Sequence, residues 1–145
     1  MKLDVIIPCY NEEGNITLMH EKLSEALSEI KYNLIFVNDG SKDKTIEVIK
    51  EYSKKDKRVK YIHFSRNFGK EAAMLAGLKL STGDYVAIMD ADLQDPPSLL
   101  PKMLSILEDP NNDYILLIQE WNRPFVLTLN DNLLHHQPFQ FWTFY

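Results

Sequence analysis

The sequence predicts an α/β domain built on a mainly parallel sheet with helices on both faces. Three observations carry that expectation. Four short apolar runs alternate with four segments whose apolar residues recur at three- and four-residue steps. Each run ends in a cluster of polar residues. The last of these clusters, Met89 to Pro97, reads MDADLQDPP and sets two carboxylates one residue apart behind an apolar run.

Each element has its own justification. Leu3 to Ile7 is a β-branched run closed by Pro8 and reads as a buried strand. Asn11 to Asn15 is a polar loop. It leads into a helix whose apolar face is Ile16, Met19, Leu23, Ala26, Leu27 and Ile30. Leu34 to Val37 is the second strand, and Asn38-Asp39-Gly40-Ser41 is its exit. Ser41 is the expected N-cap of a helix carrying Ile46, Val48, Ile49 and Tyr52. Val59 to Phe64 is the third strand, followed by the polar loop Ser65 to Lys70. A third helix holds Ala72, Ala73, Leu75, Ala76, Leu78 and Leu80. Thr82-Gly83 turns the chain into the fourth strand, Tyr85 to Met89. Asp95 is expected to cap a fourth helix with Pro96 at its first position. Leu99, Leu100, Met103, Leu104, Ile106 and Leu107 form its stripe. Tyr114 to Ile118 reads as one further strand at the sheet edge. Beyond it the aromatic-rich tail shows neither period and is expected to be irregular.

Composition narrows the function. A hydrophobic share of 45% over 145 residues supports a real core and excludes disorder of the whole. The net charge of -5 argues against a nucleic-acid partner. It does not oppose a single nucleotide, because a metal ion or a helix terminus can supply positive charge. Cys9 is the one cysteine, so no disulfide forms within the chain and a reducing compartment is expected. Its place in an apolar run suits a core or pocket-edge residue better than a nucleophile. The N-terminus lacks the apolar core of a signal peptide, and no run of about 18 apolar residues occurs. The expected location is cytoplasmic, with no transmembrane segment.

In parallel sheets ligands bind outside the carboxyl ends of the strands. Pro8-Cys9-Tyr10, Asn38-Asp39, Ser65-Arg66 and Asp90 with Asp92 all fall there. Any one cluster is explained by a solvated strand exit; the four together point to a ligand site. On an extended segment, residues two apart point the same way, so Asp90 and Asp92 can face one ion. Their hard oxygens suit Mg²⁺ or Mn²⁺, which complete their shells with water and phosphate. A lone D-x-D does not decide the matter. The adjacent His135 and His136 have poor geometry for joint ligation from one helix face.

VIIPCYNEEGNI, FVNDGSKDKT and FSRNFGKEAAMLAGLKLSTGDYVAIMDADLQDPP, in that order, resemble glycosyltransferase family 2. The third stretch is similar to its polyprenyl-phosphate branch, which includes dolichol-phosphate mannose synthase and undecaprenyl-phosphate glucosyltransferases. The resemblance covers about residues 1 to 109. It implies the GT-A fold, a nucleotide-binding α/β sandwich, here C-terminally incomplete. Residues 1–113 would be a nucleotide-sugar-binding domain and 114–145 an atypical tail.

By the same resemblance, Pro8, Tyr10 and Glu12 match the nucleotide pocket, and Asp39 matches the acceptor for the base. A carboxylate can accept from the imino N–H of uracil or guanine. Asp90 and Asp92 match the metal motif beside the nucleotide, with Asp92 the catalytic clamp on the diphosphate; Gln94 matches a further metal ligand. Arg66, Asn67 and Lys70 match a donor-side loop, whose other reading is a solvated loop that pins a helix start. The implied activity is metal-dependent transfer, with inversion, from a UDP- or GDP-linked sugar to a polyprenyl phosphate. The lipid acceptor would place it at the cytoplasmic face of the membrane. The family's arginine loop and acceptor-side segment find no match near Arg123, so the chain is expected to bind a donor and turn over poorly. The alternatives are a truncated, non-catalytic nucleotide-sugar-binding domain and, more remotely, a receiver-like signalling domain. The latter would need acidic residues where Pro8-Cys9-Tyr10 and Ser65-Arg66 stand.

Overall fold

The computed structural model describes residues 1–107 in full and two later strands, Tyr114–Ile118 and Pro124–Leu129, by their backbone. The elements run β1 (Leu3–Cys9), α1 (Ile16–Ala26), β2 (Tyr32–Asn38), α2 (Thr45–Lys55), β3 (Val59–His63), α3 (Lys70–Leu80), β4 (Tyr85–Ile88), α4 (Leu99–Leu107), β5 (Tyr114–Ile118) and β6 (Pro124–Leu129). They form one sheet in the order β3-β2-β1-β4-β6-β5. β1 pairs parallel with β2 and β4, and β2 pairs parallel with β3. β6 is antiparallel to both β4 and β5.

The period of two along each strand divides the core into two layers. Leu3, Val5 and Ile7 of β1, with Leu34 and Phe36 of β2, pack under Ile16, Met19 and Leu23 of α1, Ile49 of α2 and Leu100, Met103, Leu104 and Leu107 of α4. Ile6, Ile35, Val37 and Val86 face the other way and pack against Ala73 and Leu78 of α3. Right-handed crossovers explain the split. The chain steps outward from β1 to β3 with α1 and α2 on one face. It then returns past β1 to β4, and the reversed direction lays α3 on the opposite face. The expected parallel sheet with helices on both faces is what forms.

Two small features bring α3 onto β1. A Cβ at Gly77 would lie 2.4 Å from Ile6 Cγ2, so the helix can approach this closely only without a side chain there. Asp4, wholly buried, then ties the far end of α3 to the sheet. Its carboxylate accepts from Asn33 Nδ2 (2.7 Å), Ser81 Oγ (3.0 Å), Thr82 N (2.7 Å) and Gly83 N (2.9 Å). Burial alone would raise its pKa. The hydrogen bonds from Thr82, Asn33, Ser81 and Gly83 outweigh burial and hold it below the usual carboxylate value.

Several expectations need correction. α1 ends at Ala26; Ile30 lies beyond it in a turn but still packs on the core. Ser41 does not cap α2, which begins at Thr45; its hydroxyl donates to Asn38 Oδ1 instead. α4 begins at Leu99 and not at Pro96. Asp95 and Pro96 each precede a proline, which disfavours helical geometry at both. Pro96 and Pro97 instead form a turn whose carbonyls accept from Leu99 N and Leu100 N. Pro101 sits in the first helical turn, where its missing N–H costs little. β5 does take the sheet edge, but the chain beyond it is not wholly irregular: β6 inserts between β4 and β5. An interior strand need not alternate, and PFVLTL does not. Arg123, His135 and His136 lie outside the described residues.

Candidate functional site

At the carboxyl ends of β1, β2 and β4 lies a cleft of about 440 Å³. The crossovers leaving neighbouring strands β1 and β4 run in opposite directions, so the cleft stands at a topological switch point. Pro8, Cys9, Tyr10 and Glu12 supply one wall and Asp39 another. Asn67, Gly69 and Lys70 come from the start of α3, and Asp90, Ala91 and Asp92 follow β4.

The first wall is held by a reciprocal set of loop hydrogen bonds. Asn11 N donates to Ser41 Oγ (2.9 Å), Glu12 N to Thr45 Oγ1 (2.8 Å) and Glu13 N to Asp43 Oδ2 (3.2 Å). In return Lys42 N donates to Asn11 Oδ1 (2.9 Å) and Lys44 N to Glu13 Oε2 (2.8 Å). Asn11 has a φ of 55°, in the left-handed region that asparagine tolerates better than most residues. Pro8 lies past the last β1–β4 pair, Ile6 with Ile88, where the strand is already leaving its neighbour. Tyr10 stands at the rim, 42% exposed. Cys9 is buried, and its thiol donates to Ile7 O. Burial, with the nearby charges of Glu12 and Asp90, pushes its pKa well up, so it stays a thiol.

Asp39 is only 4% exposed and has a structural duty besides lining the cleft. Its carboxylate accepts from Phe68 N (2.7 Å) and Gly69 N (3.0 Å), which fixes the root of α3. Gly40 makes that approach possible. Its φ is 68°, and a Cβ there would lie 2.3 Å from the Arg66 carbonyl carbon.

The D-x-D stretch is a turn rather than an extended segment: β4 ends at Ile88, and Ala91 and Asp92 are in a turn. Ala91 is buried between two partly exposed carboxylates, and both carboxylates line the cleft. Leu93 has a φ of 60°, a strained conformation for a bulky residue. It carries the backbone round so that Gln94 N donates to Asp92 Oδ1 (3.2 Å). Lys70 Nζ reaches both oxygens of Asp90, at 2.6 and 2.8 Å.

The structure thus gathers Pro8, Tyr10, Glu12, Asp39, Asn67, Lys70, Asp90 and Asp92 around one cleft. Gln94 and Arg66 are not among its lining residues. Gln94 is exposed, and the Arg66 guanidinium lies 4.6 Å from the centre of the Phe68 ring. Gly69 and Ala91 also line it. Neither carries a functional group, so no chemical signal could have singled them out.

The lining presents four carboxylates, Glu12, Asp39, Asp90 and Asp92, against one ammonium, Lys70. Among the described residues no three His, Cys, Asp or Glu side chains converge on a point. A divalent ion here would therefore rest on Asp90 and Asp92 and take its remaining oxygens from water and ligand. That donor set fits Mg²⁺ or Mn²⁺, and Lys70 Nζ already marks a position for positive charge against Asp90.

The chain is similar to known proteins in sequence and in fold. The sequence model of the family described as Glycosyl transferase family 2 matches residues 4–137, well past the Asp109 at which the motif resemblance fades. The chain is 45% identical over 106 residues to the uncharacterized glycosyltransferase YkcC of Bacillus subtilis (strain 168), covering 72% of this chain and 33% of that protein. It is 40% identical over 106 residues to the bactoprenol glucosyl transferase of Shigella phage SfX, covering 72% of this chain and 35% of that one. The chain therefore spans about a third of the length of these relatives. Among solved structures, the mannosyltransferase PcManGT from Pyrobaculum calidifontis, in complex with GDP-Man and Mn²⁺, superposes with a TM-score of 0.70 at 23% identity. That match covers 81% of this chain and 35% of the other, and shows a shared fold.

Proposed function

The chain belongs to glycosyl transferase family 2, and from that premise we propose that its cleft binds a nucleoside-diphosphate sugar together with Mg²⁺ or Mn²⁺. In the whole protein the sugar passes, with inversion, to a polyprenyl phosphate at a membrane surface. The observation that carries this reading is the convergence of Asp90 and Asp92 with Pro8, Tyr10, Glu12 and Asp39 on one cleft at the switch point of the sheet. The lipid acceptor is supported by likeness to a bactoprenol glucosyl transferase. Among the described residues no helix is long and apolar enough to cross a membrane.

The charge of the cleft explains the need for a cation. Four carboxylates and one ammonium repel a diphosphate. A divalent ion held there would supply the positive charge that a departing diphosphate requires. Asp90 and Asp92 would hold it, and the Asx turn from Asp92 to Gln94 N keeps Asp92 oriented. The Tyr10 ring forms a wall for the nucleoside. Asp39 accepts from the imino N–H of the base with the lone pairs its two backbone donors leave over. A phosphate acceptor is itself an adequate nucleophile, so no strong protein base is required.

The test is transfer by the whole protein from UDP-glucose, UDP-GlcNAc or GDP-mannose to a polyprenyl phosphate in Mn²⁺, with the product anomer read by NMR. A metal-dependent product of inverted configuration is expected. Retained configuration would overturn the displacement mechanism. A donor bound tightly by the whole protein, with no product from any of the three, would favour the second reading of a donor-binding module.

A further inference from the structure

We propose that Lys70 is a resident counter-ion of Asp90 which the divalent cation must displace, so that metal and nucleoside diphosphate bind as a coupled pair. This rests on the donor-site reading above and adds a device to it. The Lys70 ammonium spans both oxygens of Asp90, at 2.6 and 2.8 Å, and so covers the face a metal ion would use. Among the described residues it is the one basic side chain lining a cleft with four carboxylates.

Its position in the chain is otherwise a poor one. Lys70 is the first residue of α3, and the positive end of a helix dipole disfavours a cation there. The contact with Asp90 offsets that cost. The ammonium is also free to move. The Lys70 side chain is 46% exposed and that of Asp90 22%, and lysine carries its charge on a flexible four-carbon stem. Its root, by contrast, is fixed, because Asp39 holds the backbone of Phe68 and Gly69 immediately before it. The ammonium can therefore leave Asp90 while its stem stays rooted at the wall of the cleft.

Two consequences follow from charge alone. A metal ion arriving without nucleotide must expel the ammonium from Asp90 with no incoming anion to receive it. A diphosphate arriving with the metal gives the expelled ammonium a new anionic partner. Each ligand thus raises the affinity of the other through Lys70.

The experiment is Mn²⁺ titration of the purified chain, read by the EPR signal of free aqueous Mn²⁺, with and without UDP or GDP. Wild type, Lys70→Met and Lys70→Arg are compared, with circular dichroism confirming that each is folded. Lys70→Met should bind Mn²⁺ alone about fivefold more tightly, the factor expected of a partly exposed ion pair. Its gain in Mn²⁺ affinity on adding nucleotide should shrink by at least that factor. Lys70→Arg keeps the charge and should follow wild type. Equal Mn²⁺ affinity in wild type and Lys70→Met, with the same nucleotide-linked gain, would overturn the counter-ion role and leave the donor site standing. Lys70→Arg behaving like Lys70→Met would also overturn it. If neither UDP nor GDP brings Mn²⁺ onto the wild-type chain, the donor-site reading itself fails, and this proposal with it.

Discussion

Replacing Asp39 by alanine should separate two duties that one carboxylate carries. The first is structural: it accepts from Phe68 N and Gly69 N at 2.7 and 3.0 Å in a site only 4% exposed. Hydrogen bonds to a charged acceptor contribute about 1.5–3 kcal/mol each, of which water can restore a part at these half-buried donors. Allowing for non-additivity within one loop, the loss should be about 3–4 kcal/mol. For a chain of this size that is roughly a 10 °C fall in melting temperature. The second duty is discrimination among bases, which should weaken. Asp39→Asn is the informative companion. It keeps one carbonyl acceptor but turns an amide N–H₂ toward the other donor, so it should recover part of the stability and little of the base preference. The assays are thermal unfolding by circular dichroism and competition among UDP, GDP and ADP in Mn²⁺. A melting temperature unchanged in Asp39→Ala would refute the loop-pinning role. Unchanged base preference in a folded variant would refute the recognition role.

Further predictions concern the frame around the site. Gly77→Ala should destabilise the chain by about 1–3 kcal/mol through overpacking, because its Cβ would meet Ile6 Cγ2 at 2.4 Å; urea titration reads it. Asp4 should shape the acid limb of stability. Its folded pKa lies below the ordinary 3.8, so its contribution is fully present above that value and lost as pH falls through the depressed one. Asp4→Asn should therefore cost about 2–3 kcal/mol near neutral pH and flatten the acid limb. The limb should not vanish, because the Arg58 hydrogen bonds to Asp56 also hold that carboxylate well below its usual range. An acid limb as steep in Asp4→Asn as in wild type would contradict the assignment.

Much of this architecture was legible because strand and helix periods leave different marks on a sequence. The alternation of runs located β1 to β4 and α1 to α4 and implied both sheet faces. The convergence of strand exits located Pro8, Tyr10, Asp39, Asp90 and Asp92 at one rim. What escaped depends on contacts between distant residues. Nothing local in Lys70 or Asp90 reveals that they meet across 20 positions. Asp39 reads as a solvated exit residue, yet it is buried and holds the next loop. Asp4 looks like a polar interruption of a strand until the donors of Ser81 to Gly83 are seen around it. β6 was missed because PFVLTL carries no period-two alternation. The start of α4 was misplaced because capping signals at Asp95 compete with two consecutive prolines. Gln94 follows the metal motif in sequence, but the left-handed Leu93 turns the chain and leaves it exposed outside the cleft lining.

The central claim is a nucleoside-diphosphate site that works through a cation held by Asp92. Calorimetric titration of UDP and GDP into wild type and Asp92→Ala, in Mn²⁺ and again in EDTA, tests it most directly. Asp92 is partly exposed in a turn, so its loss should leave the fold intact. Wild type should bind one of the two nucleotides in Mn²⁺ and lose most of that affinity in EDTA, while Asp92→Ala should bind weakly in both. Equal affinity of wild type and Asp92→Ala in Mn²⁺ would contradict the account.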